Sequence, residues 1–424
     1  MEDFLLKEFF RKERWQTAID KGVDKKIDKD LLKSLCIPET RIKLYEKIAN
    51  DNYAIMPPHE AQIPKDDGTM RTVYVNEGID RVVLSIINDM LFEFCHDMIH
   101  PRCVSYQKGI GCGRVVQEAT RWIARVPVTA TNGVIGIKAD LSKYFDSVPI
   151  RYVDDCFDKI EERTGKSKII DVLREYYHMN YVFNLDNKLI EKYTSLRQGC
   201  AVAAFLADAV LYDMDKAISQ MNTYYVRYSD DILIVGGLWE LGYEKMAEML
   251  EAKGLILNPK KVETLYNDKW FKFLGFNIRG TQITLSKKRV KTFQKEIERR
   301  TIKTRSHDRK QLVSNVNRYL YKGADGHSWA TNVLPIINVE KDIDTLNEFV
   351  MDCIRASMTN KKRIGGIGSA IDRKDYTIIR GCGRNVASNR AKTDKEIEGY
   401  MSLRCMRNAL VTSKEAYNTL VMQI

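Results

Sequence analysis

Along residues 1–50 the apolar positions Leu5, Phe9, Ile19, Leu31, Leu35 and Leu44 sit among dense charge, and the stretch reads as a series of helices. Glycine and proline punctuate the chain usefully only after Pro57 and Pro58. From there helical and strand periods alternate, with short strands expected at residues 72–75, 133–139, 224–228 and 232–235. Residues 181–193 (YVFNLDNKLIEKY) read as a hairpin that turns near Asp186 and Asn187. Beyond Leu285 the pattern is helical, apart from a Gly-rich basic stretch at 361–374. No Walker lysine and hydroxyl follow that stretch, so it reads as a loop rather than a phosphate cradle. No repeat or low-complexity tract is present.

Length adds the expectation of two or three packing units, since the chain has 424 residues. Charge adds a partner: 68 Lys and Arg against 57 Asp and Glu leave a net +11, which favours a polyanion, with nucleic acid ahead of a membrane surface. The longest apolar stretch, residues 82–94, is broken by Asn88, Asp89 and Glu93 and is too short to span a bilayer. The first residues carry acids and no small-residue cleavage site, so no signal peptide is expected. Nine cysteines without a C-x-x-C pair point to a reducing, cytoplasmic setting. Eleven Lys and Arg lie between Lys287 and Lys310, a density compatible with either a solvated helix face or a polyanion site.

The chemistry concentrates in YYVRYSDDILIV, residues 224–235. An apolar strand enters Ser229-Asp230-Asp231 and a second apolar strand leaves it, a hairpin that thrusts carboxylates from a buried sheet. Adjacent aspartates there repel one another unless a cation neutralises them. A second strand, GVIGIKAD, ends at Asp140. Beside the hairpin it would set Asp140 against Asp230, and two such carboxylates could bridge two Mg²⁺ about 3.5–4 Å apart for phosphoryl transfer. A competing cluster, Cys95, His96, His100, Cys103 and Cys112, contains one zinc-like spacing (His96/His100) but fits a helix and loop better.

In order along the chain stand IPKDDGTMR (63–71), DRVV (80–83), SYQKG (105–109), KADLSKYFDSV (138–148), RQG (197–199), YSDD (228–231), GLILNPKK (254–261) and FKFLGFNI (271–278). This ordered series resembles the reverse transcriptases, in particular the bacterial branch that includes group II intron, retron and phage-defence enzymes. The resemblance implies an α+β right-hand polymerase, with fingers, a palm built on an antiparallel sheet, and a helical thumb. Its implied domains are an N-terminal helical extension at 1–55, fingers and palm at 56–285, and thumb with C-terminal helices at 286–424. It also implies roles for residues at matching positions. Asp140, Asp230 and Asp231, with the backbone carbonyl of Leu141, would hold two Mg²⁺, Mn²⁺ being the alternative ion. Phe145 matches the steric gate that favours deoxynucleotides. Lys65 and Arg71 match triphosphate-holding residues, a point charge and a fork respectively. Gln198 and Gly199 match the block that cradles the incoming nucleotide. Lys261 matches the lysine that protonates the departing pyrophosphate, with Lys260 the alternative in the NPKK register. Phe273, Leu274 and Gly275 resemble the primer grip. Lys287, Lys288, Arg289, Lys291 and Lys295 would open an RNA-binding thumb.

The chain departs from intron-encoded enzymes after RQG, where it reads CAVAAFLAD instead of a Ser-Pro-Leu sequence. No Cys/His endonuclease pattern or RNase H set of acids follows the thumb region. These features, with the resemblance, imply a compact polymerase of the defence-associated kind, copying a dedicated non-coding RNA into cDNA from dNTPs. A retron-type enzyme making RNA-linked cDNA and a maturase-like RNA-binding protein are the alternatives; an RNA polymerase conflicts with Phe145.

Overall fold

A computed structural model describes residues 2–24, 27–65, 68–107, 109–127, 132–323, 327–359 and 397–423. The Gly-rich stretch at 361–374 lies outside the described residues. The chain folds as two compact units, residues 1–108, 137–234 and 238–263 forming one, and 109–136, 235–237 and 264–424 the other.

In the first unit the N-terminal stretch is helical, at Phe4–Phe9, Lys12–Asp24, Lys29–Cys36 and Pro38–Ala49. Asp3 starts the first helix by accepting from the Leu6 N–H at 2.9 Å, and its other oxygen accepts from the Lys168 N–H at 2.8 Å. One side chain thus caps two helices far apart in sequence. Trp15 is fully buried against the Phe9 ring, and its indole N–H donates to the Phe9 carbonyl at 2.9 Å. The helix Gly78–Phe94 is apolar nearly all round, burying Val82, Val83, Leu84, Ile86, Ile87, Met90 and Leu91, as a core helix must.

Strands β1 (His59–Pro64) and β2 (Met70–Val75) pair antiparallel, with Ile63 opposite Arg71. Further strands are β3 (Val134–Asp140), β4 (Tyr181–Phe183), β5 (Leu189–Glu191), β6 (Tyr224–Tyr228), β7 (Asp231–Val235) and β8 (Glu263–Tyr266). The eight form two sheets, in the orders β2-β1-β4-β5 and β6-β7-β3-β8. In the first of these β1 meets β4 in parallel, at His59 and Phe183. The β4–β5 hairpin turns where the sequence places it: Asn187 has φ +59°, and the Asn184 side chain accepts from the Asp186 and Lys188 N–H groups.

The second unit holds β9 (Phe271–Phe273), β10 (Phe276–Arg279) and β11 (Gln282–Leu285), an antiparallel meander in the order β11-β10-β9. Its helices include Cys112–Ile123, Lys287–Arg300, Arg309–Asn317, Trp329–Val333, Glu340–Thr359, Leu403–Thr412 and Lys414–Met422. Val290, Phe293 and Ile297 form the buried stripe of the basic helix, so its cations occupy the remaining faces. Among the described residues, no helix is long and apolar enough to cross a membrane.

Candidate active site

The hairpin β6–β7 is apolar on both sides of its turn, with Tyr224, Tyr225 and Val226 buried before it and Ile232, Leu233, Ile234 and Val235 after it. The two-residue turn Ser229-Asp230 needs positive φ, and Ser229 supplies it at +56°. Next to β7 lies β3, whose last residue is Asp140. The Leu141 N–H donates to the Asp230 carbonyl at 3.2 Å, so the two aspartate-bearing segments are tied directly.

Lys261 comes to the same place on the short turn Pro259–Lys261, whose start is capped by the Asn258 side chain. Asn258 N–H donates to the Asp140 carbonyl at 2.8 Å, anchoring that turn beside β3. From it the Lys261 ammonium reaches Asp140 Oδ2 at 2.7 Å, and Lys261 is therefore the lysine of the pair that contacts the carboxylates.

Electrostatics show what this convergence costs. Burial, then repulsion from Asp140, raises the Asp230 carboxyl above its ordinary range against the pull of Lys261 and Arg71. Burial, then repulsion from Asp230 and Asp140, pushes Asp231 up to about 6, opposed by Lys138 and Lys261. Three carboxylates within mutual Coulombic reach, one already held by an ammonium, form a site short of positive charge. Among the described residues no three His, Cys, Asp or Glu close into a ready-made metal cage. The donor chemistry nevertheless suits a hard divalent cation, because carboxylate oxygens are what Mg²⁺ prefers. Asp140, Asp230 and Asp231 are the residues that could hold it. No zinc cluster forms among the described residues either: Cys95 and Cys103 are buried, and His100 is bonded to the Arg102 N–H and to the Ser219 hydroxyl.

Other expected residues border this centre or stand apart from it. Arg71 on β2 contributes to the field at Asp230, whereas Lys65 is exposed at the β1–β2 turn, its N–H bonded to the Thr69 carbonyl. Phe145 lies on the short helix Tyr144–Ser147, half-buried, its carbonyl accepting from the Leu196 N–H at 2.8 Å. The Gln198 carbonyl accepts from the Tyr74 N–H at 2.7 Å, strapping the RQG block to β2. Gly199 has φ +110°, and a Cβ there would stand 2.7 Å from the Tyr74 carbonyl oxygen, so glycine is required. Arg197, the first residue of the block, is structural: fully buried, it stacks over Tyr176 and donates to Thr194 and to the Met179 carbonyl.

In the second unit, Phe273 ends β9 opposite Phe276, and Leu274 and Gly275 form the tight β9–β10 turn, with φ +46° and +80° respectively. Gly275 permits close passage of Arg289, whose Nε would lie 2.5 Å from a Cβ at that position. Arg289 stacks over the Phe276 ring at 4.2 Å, and burial lowers its pKa. Lys288, Lys291 and Lys295 are exposed on the same helix and Lys287 is half-exposed.

The residues least visible in the sequence sit behind the carboxylate turn. Arg227 is fully buried and ion-paired to Asp215 at 2.6 Å. Truncating one partner of such a pair strands the other charge, at roughly 3–5 kcal/mol. Ser105, from the SYQKG motif, bonds the Ser229 N–H. Tyr106 also bonds Ser229, and its phenol is pushed up to about 12 by burial. The only sequence signals were the arginine inside an otherwise apolar strand and the unexplained SYQKG block.

Residues 63–278 match the family described as reverse transcriptase (RNA-dependent DNA polymerase). Solved structures similar to the chain include telomerase from Candida albicans in complex with a fragment of telomeric RNA, at 13% identity and a TM-score of 0.42, over 76% of this chain and 59% of that one. A Sicinivirus RNA-dependent RNA polymerase matches at 13% identity and a TM-score of 0.38, over 60% of this chain and 58% of that one. The chain thus spans under two thirds of the length of either. No curated protein matches significantly. With its family match running from the end of β1 into β10 and enclosing Asp140 and the Asp230–Asp231 pair, this α+β chain of right-hand polymerase class belongs to the reverse transcriptase family.

Proposed function

We propose that the chain is an RNA-directed DNA polymerase that copies a dedicated non-coding RNA into cDNA in the cytoplasm and serves anti-phage defence. The observation that carries the polymerase reading is the meeting of Asp140, Asp230 and Asp231 with Lys261 at the ends of adjoining strands. Asp140, Asp230, Asp231 and the Leu141 carbonyl would hold Mg²⁺, or Mn²⁺ in its place. Two such ions supply stabilisation of the attacking and leaving oxygens in an in-line displacement.

The chain's own residues do the rest. Arg71 forks the triphosphate and Lys65 adds point charge from the β1–β2 turn. Gln198 and Gly199 let the backbone approach the incoming nucleotide, and the Phe145 ring excludes a ribose 2′-hydroxyl. Lys261 gives its proton to the departing pyrophosphate as a general acid. In this reading residues 1–55 are an N-terminal extension, 56–285 fingers and palm, and 286–424 thumb and C-terminal helices. Phe273, Leu274 and Gly275 hold the primer, and Lys287, Lys288, Arg289, Lys291 and Lys295 hold nucleic-acid phosphates.

The net charge of +11, the divergent CAVAAFLAD sequence after RQG and the resemblance to compact defence enzymes support the dedicated-template role. Sequencing of RNA and DNA co-purified from the native host tests it, comparing wild type with an Asp230→Ala/Asp231→Ala variant. One discrete RNA in both, with matching cDNA in wild type alone, is the expected result. A broad RNA mixture, or cDNA that persists without the carboxylates, contradicts it. Alkali-resistant joining of cDNA to RNA would favour the retron-type alternative.

A further inference from the structure

A fully buried polar network lies behind the Ser229-Asp230 turn, and no step of nucleotidyl transfer uses it. Residues 102–104 run parallel to β6, the Arg227 N–H donating to the Arg102 carbonyl and the Val104 N–H to the Arg227 carbonyl, both at 2.9 Å. That register brings Ser105 alongside Ser229. The Ser105 hydroxyl accepts from the Ser229 N–H at 3.0 Å, donates to Asp208 Oδ1 at 2.5 Å and also meets the Cys103 thiol at 3.3 Å. Arg227 holds the other side of the same residue, Nη1 donating to the Ser229 carbonyl at 3.1 Å. Its Nε and Nη2 fork the Asp215 carboxylate at 2.8 and 2.6 Å, and Nη2 also reaches the Asp208 carbonyl. The Tyr225 hydroxyl donates to Asp215 as well. Ser105, Asp208, Asp215 and Arg227 are each 0% exposed.

We propose that Ser105 and Arg227, oriented by Asp208 and Asp215, are positioning residues that fix the Ser229 backbone from both sides and so set the Asp230 carboxylate against Asp140. The proposal rests on the reading of these aspartates as polymerase metal holders and deepens it. Ser229 sits in a left-handed conformation that a non-glycine residue keeps only when its surroundings impose it. Its N–H and C=O are both bonded to this network, at the point where the chain must turn and present two mutually repelling carboxylates. The network is closed to solvent, so its effect passes through geometry and not through contact with substrate. Bidentate pairing to Asp215 fixes the plane of the Arg227 guanidinium, which a lysine could not do.

The test uses the full chain and Ser105→Ala, which removes the hydroxyl without adding bulk. Three quantities are read: Mn²⁺ affinity by electron paramagnetic resonance, the Mg²⁺ concentration for half-maximal dNTP incorporation, and amide exchange across residues 224–231. Ile160→Val, a trimmed core side chain on the helix Ile150–Thr164, controls for lost stability. Ser105→Ala is expected to weaken Mn²⁺ binding and raise the Mg²⁺ requirement at least threefold, and to speed exchange at the turn. Asp208→Asn, which keeps an acceptor for the Ser105 hydroxyl, is expected to show a smaller shift than Asp208→Ala. That pair decides the matter should Ser105→Ala fail to fold. Unchanged metal affinity in Ser105→Ala, or an equal shift in Ile160→Val, overturns the proposal. If wild type binds Mn²⁺ but incorporates no dNTP, the polymerase reading falls while the Mn²⁺ shift still decides the positioning role. If wild type binds no Mn²⁺, both fall.

Discussion

At the scale of single residues, the centre is a balance between repulsion and fixed neutralising charge. Asp231 is pushed up to about 6 while Lys261 is paired to Asp140, so the carboxylates are held together without enough cation nearby. These aspartates were legible in the sequence because YSDD stands between two apolar runs and Asp140 ends a third. Ser105 and Asp208 were not legible as a pair, since 103 positions separate them and neither stands out in its own segment. Phe145 offers a direct test of sugar choice. Its half-buried ring on the helix Tyr144–Ser147 is expected to exclude a 2′-hydroxyl, so Phe145→Ala should lower the preference for dNTPs over rNTPs by roughly tenfold or more. Competitive incorporation of the two nucleotide types measures it, and unchanged discrimination would reduce Phe145 to core packing.

At the scale of elements, strands with clean apolar runs or a marked turn between them were readable, and other mixed strands were not. The strands read at 224–228 and 232–235 occur at Tyr224–Tyr228 and Asp231–Val235, and the one read at 133–139 occurs at Val134–Asp140. Strand β1, HEAQIP, escaped because it is half-buried at its start and exposed at its end, leaving no alternation to detect. The β9–β10–β11 meander, with strands of three or four residues, escaped, whereas the equally short β4–β5 hairpin was read from its Asp186-Asn187 turn. The basic helix Lys287–Arg300 shows the opposite case. Its charge was plain in the sequence, but its buried stripe of Val290, Phe293 and Ile297 shows which positions remain for a partner. Replacing Lys287, Lys288, Lys291 and Lys295 by glutamine should weaken RNA binding and flatten its salt dependence, by about 0.7 in the log–log slope for each single-strand phosphate left without a neutralising cation. Binding isotherms over a range of salt measure this; a slope equal to wild type would detach the helix from nucleic-acid binding.

At the scale of the whole molecule, the two units are discontinuous in sequence. Residues 109–136 and 235–237 fold with the C-terminal part, and a linear reading has no signal for such an exchange. The family match begins at Ile63 and ends at Ile278, so it takes in all of the carboxylate centre and the β9–β10 turn as well. The excess of 68 basic over 57 acidic residues is consistent with a polyanionic template. The central claim, that Asp140, Asp230 and Asp231 perform RNA-templated DNA synthesis, is met most directly by one measurement. That measurement is extension of a primer on an RNA template by the purified chain with dNTPs, with and without Mg²⁺, for wild type and Asp230→Asn. Mg²⁺-dependent extension by wild type, reduced on the order of 10³-fold in the variant, is the expected result, since carboxylate-held metal supplies several kcal/mol of transition-state stabilisation. No extension by wild type, or extension that survives Asp230→Asn undiminished, would contradict it.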